Sequence, residues 1–470
     1  MKKNTSDVDR MFGSYLSASI LTIAAVQVAN IVDASLVGNF IGDNGLAAVN
    51  VCRPVLQAIF SLSVFFVSGG TMLVGMAIGR KDSESANRIF SLSMGMTVSV
   101  ALLISLAGTV FLGPLVSMLC KSVTVMPLAR DFLRVMLLSA VPMMLMTAVD
   151  FYVTVDGEPK RASFAVITGN IVNLVLDIVF MKYLGWGITG AALDTCIMYI
   201  VCILLVLPHF RKDGTLRLTG NIRGSDARPI VAYGLPLFIS SILLSIQFAC
   251  NNIVCSRYFG DSGLVAYAVC MQLLVFSTIF LNGTYRTIQP IGAILKGRDD
   301  TAGIRRLVRK AYRFLLVSLA VLSALAIVFP RQITMLLGVE DIGNISVAVA
   351  AIPAFTLQII LQTLIGNIVP VYQIYSRNNL ALFLSVVQAV LPFFGFWLFS
   401  EMSLHHTALN PWLGFAAGQL ASVLLLLIPL CAVRRKTPGL SPLFLIPRIA
   451  GLRNSDNWSS FEGNSDKSAV

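Results

Sequence analysis

The chain has 470 residues, of which 56% are hydrophobic and only 12% charged, and it carries a formal net charge of +12. Soluble globular chains have about 25% charged residues. Here the deficit runs along the whole length, broken by short polar clusters, which excludes a soluble protein and predicts a polytopic membrane protein. The positive excess would suit nucleic acid, but its placement, described below, assigns it to membrane topology.

The first ten residues, MKKNTSDVDR, are too polar for the hydrophobic region of a signal peptide, so the first span is expected to act as an uncleaved signal-anchor. Twelve apolar runs can then be read at 11–39, 46–78, 88–113, 127–152, 162–184, 187–209, 229–256, 263–294, 311–330, 344–375, 380–401 and 409–433. Each is expected to be a helix, because lipid satisfies no backbone hydrogen bond. Twelve spans put both termini on one side. That side collects 27 of the 35 Lys and Arg, among them Arg80, Lys81, Lys160, Arg161 and the 296–313 cluster. The positive-inside rule places it in the cytoplasm. Residues 434–470 read as a cytoplasmic polar tail.

The eight cysteines form no CxxC and lie mostly within spans, as small packing residues do. Neither a Walker A pattern nor HExxH occurs, and no loop is long enough for a soluble catalytic domain. The expectation is no cofactor and no nucleic acid partner.

The link after the first span returns 218 residues later without a gap. Gly42-Asp43-Asn44-Gly45-Leu46-Ala47-Ala48 matches Gly260-Asp261-Ser262-Gly263-Leu264-Val265-Ala266, and Val51-Cys52 matches Val269-Cys270. The same offset pairs Gly79-Arg80-Lys81-Asp82 with Gly297-Arg298-Asp299-Asp300, and Tyr15 with Tyr233. The chain therefore reads as two related six-helix halves, 1–210 and 229–433, joined by a basic loop at 211–228. An even number of spans per half makes the repeat parallel, and such halves enclose a cavity.

Charges inside the spans fall almost entirely in the first half: Asp33, Asp177 and Asp194, with Asp150 near a span end. Asn170, Asn173 and Asp177 share one helical face. At 1.5 Å per residue, Asp33, Asp177 and Thr195 each lie roughly 10 Å below the outer surface. Two carboxylates at one level in a low-dielectric site can share a proton. The same oxygens suit Na⁺, with Asn173 and Thr195 completing its shell. An intramembrane carboxylate is a functional-site hypothesis by default. Asp194 lies at nearly the same depth, but one residue before Thr195 it points about 100° away. Arg53 enters the second span at that depth as a candidate counter-charge to Asp33 or Asp177. Arg286 falls nearer mid-bilayer, as a candidate for binding an anionic substrate group or for pairing with carbonyls or a loop acid. Seven prolines within spans, at 54, 142, 236, 290, 353, 370 and 392, mark candidate kinks.

Over 11–433 the chain resembles the multidrug and toxin extrusion (MATE) transporters, and within them a bacterial branch similar to DNA-damage-inducible and staphylococcal-type members. The segments that carry the resemblance are IVDASLVGNFIGDNGLAAV, the turn at 79–82, DGEPKRA at 156–162, NLVLDIVF at 173–180, GWGITGAALDT at 185–195, YGLPLF at 233–238 and IQPIG at 288–292. The resemblance implies twelve helices in two bundles forming a V, and export driven by inward H⁺ or Na⁺. It also implies a first-bundle cation site at Asp33, Asn173, Asp177 and Thr195, with Na⁺ possible at those four residues. Three departures stand out: Ala18 where relatives often carry proline, Thr154 where they commonly carry arginine, and Asp194 where they usually carry alanine. Some branches place a carboxylate on helix seven, where this chain offers only Gln247 near the cavity that holds Arg286.

The expected function is a secondary antiporter exporting small amphipathic organic compounds, acting as a monomer in the bacterial inner (plasma) membrane. One alternative is a flippase for a lipid-linked precursor, which would want several cationic groups for a pyrophosphate. A lesser one is an intramembrane enzyme or sensor, which would need a nucleophile–base pair or metal cluster within the spans, whereas His209, His405 and His406 all lie at span ends or in loops.

Overall fold

The computed structural model describes residues 2–337, 341–404 and 410–436. Among them no strand occurs, so the backbone within each span is satisfied inside its own helix. The first half is built from α1 (Lys2–Phe40), α2 (Asp43–Arg80), α3 (Ser83–Val110), the short α4 (Leu112–Leu119), α5 (Val125–Leu138), α6 (Ala140–Val155), α7 (Pro159–Asp177) and α8 (Gly187–Pro208). The second half comprises α9 (Ala227–Gly297), α10 (Thr301–Val328), α11 (Pro330–Leu336), α12 (Ile342–Gly366), α13 (Ile368–Ile374), α14 (Asn378–Ser403) and α15 (Leu413–Lys436).

Among the described residues ten helical segments are long and apolar enough to cross a membrane, and a bent pair makes an eleventh. That pair is the expected span at 127–152, bent where Pro142 marks a candidate kink. α5 and α6 meet at 51° across Ser139, because Pro142 has no N–H for the carbonyl of residue 138. Pro370 stands in the same relation to the break between α12 and α13. The twelfth expected span corresponds to α15, of which Leu413–Leu425 registers as a shorter apolar helix. Most of the expected tail, residues 437–470, lies outside the described residues, as do His405 and His406.

The 71 residues of α9 would be roughly 107 Å long as one straight helix, against a hydrocarbon core of about 30 Å. They are two spans. The break is Gly260, at φ 60° and ψ −150°, a conformation open essentially to glycine.

The 218-residue repeat recurs as local geometry. Gly42, the counterpart of Gly260, also has positive φ, 89°. Lys81 and Asp299, both left-handed, end α2 and α9. Asp82 caps α3 by accepting from the Ser85 N–H at 3.0 Å, and Asp300 caps α10 by accepting from the Gly303 N–H at 2.7 Å.

The two halves meet on an axis that this repeat defines. A Cβ on Gly79 would lie 2.2 Å from the Ile294 carbonyl oxygen, and one on Gly297 2.1 Å from the Met76 carbonyl oxygen. Both contacts join positions related by the offset, so each is the image of the other. Apolar burial drives little association in lipid, which leaves close backbone approach at small residues to join helices. Further along, α2 runs against the first part of α9 through Gly69 and Ile230, Phe65 and Gly234, and a 2.9 Å hydrogen bond from Ser241 to Ser61, midway along α2.

Buried clusters follow the same division. Most draw on one half alone. A cluster containing Val8, Tyr15, Met72, Met76, Tyr233 and Ile288 mixes the two halves at the end that carries the basic loops. The halves are thus sealed from the basic face to about mid-span.

Candidate cation site

α7 starts with Pro159, whose fixed φ suits a first helical turn, and it widens at Asp177 into a π-helical stretch, Ile178–Tyr183. Such widenings frequently mark functional sites. The chain then turns through Gly185 and Gly187, both at positive φ, into α8. Two glycines set the separation of this hairpin. A Cβ on Gly169 would meet Cys202 Sγ at 2.3 Å, and one on Gly190 would meet Phe180 Cβ at 2.9 Å. Val37, Met181 and Ala191 form a small buried cluster that packs α1 onto the π stretch and α8. Asp33 lies one turn before Val37.

These elements bring the first-half site together, with its centre on a different residue from the one expected. Asp177 and Asp194 are both 0% exposed. Asn173 Nδ2 donates to Asp194 Oδ1 at 3.1 Å, and Thr195 Oγ1 lies 3.2 Å from the same oxygen. The amide and hydroxyl expected beside Asp177 are therefore turned onto Asp194. Thr195 Oγ1 also reaches the Ala191 carbonyl at 3.1 Å. Both oxygens of Asp177 and Oδ2 of Asp194 accept from no N–H or hydroxyl, and the two carboxyls lie within hydrogen-bond reach of one another, so a proton on one can be shared with the other. Asp33, half-buried, faces the pair within electrostatic range, and Arg53, exposed on α2, lies within range of Asp33. Asn170 shares the helix face but donates to the Val166 carbonyl at 2.7 Å, away from the carboxylates.

Ionised carboxylates without partners are very costly away from water. A proton shared between Asp177 and Asp194, or a small cation beside them, would relieve that cost, and Asp33 adds a third carboxylate within electrostatic range. Among the described residues no three His, Cys, Asp or Glu side chains close around a metal ion.

Arg286 is engaged. Its guanidinium donates to Asp150 Oδ2 on α6 and stacks 4.9 Å from the Phe151 ring, so of the two roles open to it the structure takes pairing with an acid. The spacing could not show this, because the partner is 136 residues away. A small cavity beside it is lined by Thr71, Phe151, Thr154, Val155, Gln289 and Pro290. Gln247 is not among those residues; it is buried in the second half, one turn before Asn251, whose Nδ2 donates to the Tyr267 hydroxyl at 3.0 Å. Glu401, at a span end in that half, accepts from the Tyr258 hydroxyl.

A second buried polar group, which the sequence did not single out, holds the linker. Asp156 accepts from His209 Nε2 and from the Thr215 N–H, each at 2.8 Å, and from the Thr215 hydroxyl. Because a carboxylate only accepts, Nε2 carries the imidazole proton. Burial alone would raise the Asp156 carboxyl, but the His209 and Thr215 hydrogen bonds outweigh it and hold the group below its ordinary value. Leu216 is buried beside it, and the Arg217 and Thr219 N–H groups donate to Asn87 and Ser91 of α3.

With this geometry established, comparison with known proteins is informative. The MatE family model matches residues 18–179 and again 236–398. The probable multidrug resistance protein YoeA of Bacillus subtilis (strain 168) is 22% identical over 352 residues, 72% of this chain and 76% of its own. The multidrug export protein MepA of Staphylococcus haemolyticus (strain JCSC1435) is 22% identical over 322 residues, 67% of each. The solved outward-facing conformation of a multidrug resistance MATE family transporter of the MOP superfamily superimposes with a TM-score of 0.84. It is 18% identical, and the match covers 92% of this chain and 97% of that one, a likeness that speaks to the fold.

Proposed function

Since the chain belongs to the MatE family, we propose that it is a secondary antiporter, which exports small amphipathic organic compounds in exchange for H⁺ or Na⁺ bound in the first half. The basic face lies in the cytoplasm, by the positive-inside rule, and the membrane is the bacterial plasma membrane. The observation that supports the coupling is the fully buried carboxyl pair Asp177 and Asp194, three of whose four oxygens accept from no N–H or hydroxyl, with Asp33 within electrostatic range. A cation entering that site removes the electrostatic penalty of the empty carboxylates. If it does so more strongly in one facing state than in the other, cation and substrate bias the same equilibrium in opposite directions.

The rest of the geometry supports this reading. Contacts between the halves run from the basic face to mid-span, as an outward-open state of such an antiporter requires. A flippase for a lipid-linked pyrophosphate is less well supported. Of the two arginines available to line its cavity, Arg286 is neutralised by Asp150 and Arg53 lies near Asp33.

The test is export of a fluorescent lipophilic cation from proteoliposomes under an imposed pH or Na⁺ gradient. Asp33→Asn and Asp177→Asn are expected to abolish gradient-driven export while the protein keeps its thermal stability. Undiminished export by both variants would overturn the assignment.

A further inference from the structure

Two ion pairs at the cytoplasmic face are images of one another. Arg88, on α3, donates through Nε to Asp226 Oδ2 at 2.6 Å, and Asp226 ends the turn Gly224–Asp226 that leads into α9. Arg306, on α10, donates to Asp9 of α1 through Nη2 and through Nε, the latter at 2.9 Å. Arg88 and Arg306 stand 218 residues apart and Asp9 and Asp226 217 apart, so the pairs obey the repeat to within one residue. In each, the third helix of one half grips the start of the first helix of the other. This is the reciprocity of a two-fold interface, in which residue i contacts j and j contacts i. Lys310 reinforces the second pair, with Nζ 2.7 Å from Asp9 Oδ1.

Arg298 and Asp7 also approach across the rim, but at 3.8 Å and largely exposed they form only a weak contact. Deeper in the same seam lies a third close ion pair, without an image. Asp150 and Arg286 join the halves, yet the offset relates them to Ile368 and Ser68. Their side chains are only 11% and 19% exposed. Between the rim pairs and this inner pair run the Gly79–Gly297 contact and a 3.1 Å hydrogen bond from Gln289 Nε2 to the Ser68 carbonyl.

We propose that these three ion pairs position the two halves for transport as a charged latch. Two symmetric pairs close the rim, one asymmetric pair closes the interior, and all three separate when the cavity opens to the cytoplasm. The inference builds on the alternating-access reading above, but its test needs neither substrate nor ion gradient, so the two can fail separately. The latch is releasable because separation admits water. Partly exposed pairs of this kind are individually weak, whereas removing one member of an enclosed pair strands the other charge. The open form is where a stranded charge can be hydrated.

The experiment is hydrogen–deuterium exchange of the full chain in lipid nanodiscs, read on peptides covering 72–81 and 288–299, the two strips that form the seam. Arg88→Gln combined with Asp9→Asn, which removes the acceptor of both Arg306 and Lys310, is expected to raise exchange in both strips by roughly two- to fivefold per pair removed. Arg286→Gln is expected to raise it further than either single rim change, because it leaves Asp150 unpaired. The swap Arg88→Asp with Asp226→Arg should restore the wild-type pattern, which a merely destabilising change would not. Exchange in 129–137, inside the first bundle, reports global unfolding and should stay unchanged; if it rises in the neutral variants, the swap decides. Wild-type exchange in both strips after the three neutral substitutions, or a swap that restores nothing, would overturn the latch.

Discussion

Replacing Asp194 separates two things that this side chain does. It brings a negative charge, and it accepts the hydrogen bonds that orient Asn173 and Thr195. Asp194→Asn keeps an acceptor oxygen in place and removes the charge, so transport should weaken while stability is retained. Asp194→Leu removes the acceptor as well and strands the buried Asn173 amide, at about 1–3 kcal/mol. It should lower the thermal midpoint and abolish export. A leucine variant as stable and active as the parent would show that those hydrogen bonds do not hold the site. Asp156 makes a second residue-scale prediction. Its folded pKa lies below the unfolded value, so the stability it gives the linker is fully present above that value and is lost as pH falls through the folded pKa. Exchange protection of the Thr215 amide, corrected for intrinsic rate, should be level near neutrality and decline only below about pH 4. Protection that persists unchanged at pH 3, or that falls equally in Asp156→Asn, would contradict the assignment. At this scale the sequence was informative about residue type and depth but not about orientation. The 3.6 period placed Asn173 and Asp177 on one face, yet it also placed Asn170 there, which bonds its own helix instead. Nothing local fixes the rotation of α8, so whether Asp194 turns toward or away from α7 was decided by packing at Gly169 and Gly190.

Among the helices, the seam between α2 and α9 follows from glycine. A methyl group on Gly79 would sit within 2.2 Å of a backbone oxygen of the other half, and neither backbone can yield without parting the helices. Gly79→Ala should therefore destabilise the closed arrangement by about 1–3 kcal/mol, the usual scale of overpacking. This would appear as a lower thermal midpoint and faster exchange in the seam. Gly95→Ala is the control, since nothing lies within 4 Å of its added Cβ, and it should be neutral or slightly stabilising. Equal behaviour of the two variants would refute the close-approach argument. The positions of most helices could be read from hydropathy, and the recurrence of GDNGLAA as GDSGLVA located the turns at Gly42 and Gly260. Pro142 marked a candidate kink at the Ser139 bend without giving its 51° angle, and nothing marked the π stretch after Asp177. Both are changes of hydrogen-bond register inside continuous apolar runs, where hydropathy does not vary.

For the whole molecule, the offset of 218 did more than define two halves. The same spacing that related the turns in sequence relates Arg88 to Arg306 and Gly79 to Gly297 in space, so the repeat is also the axis along which the halves are joined. Departures from that symmetry are where the halves differ in chemistry. Asp33, Asp177 and Asp194 have no buried acidic counterparts in the second half among the described residues, which offers Gln247 and Asn251 instead. That asymmetry supports the proposal that coupling resides in the first half. Its most direct test is export from proteoliposomes bearing, in turn, a pH gradient and a Na⁺ gradient, with the wild-type chain and Asp177→Asn measured side by side. The account predicts that one of the two gradients drives export by the wild type and that the variant shows only the rate seen without a gradient. Gradient-driven export of equal rate in the variant, or wild-type export indifferent to both gradients, would contradict it.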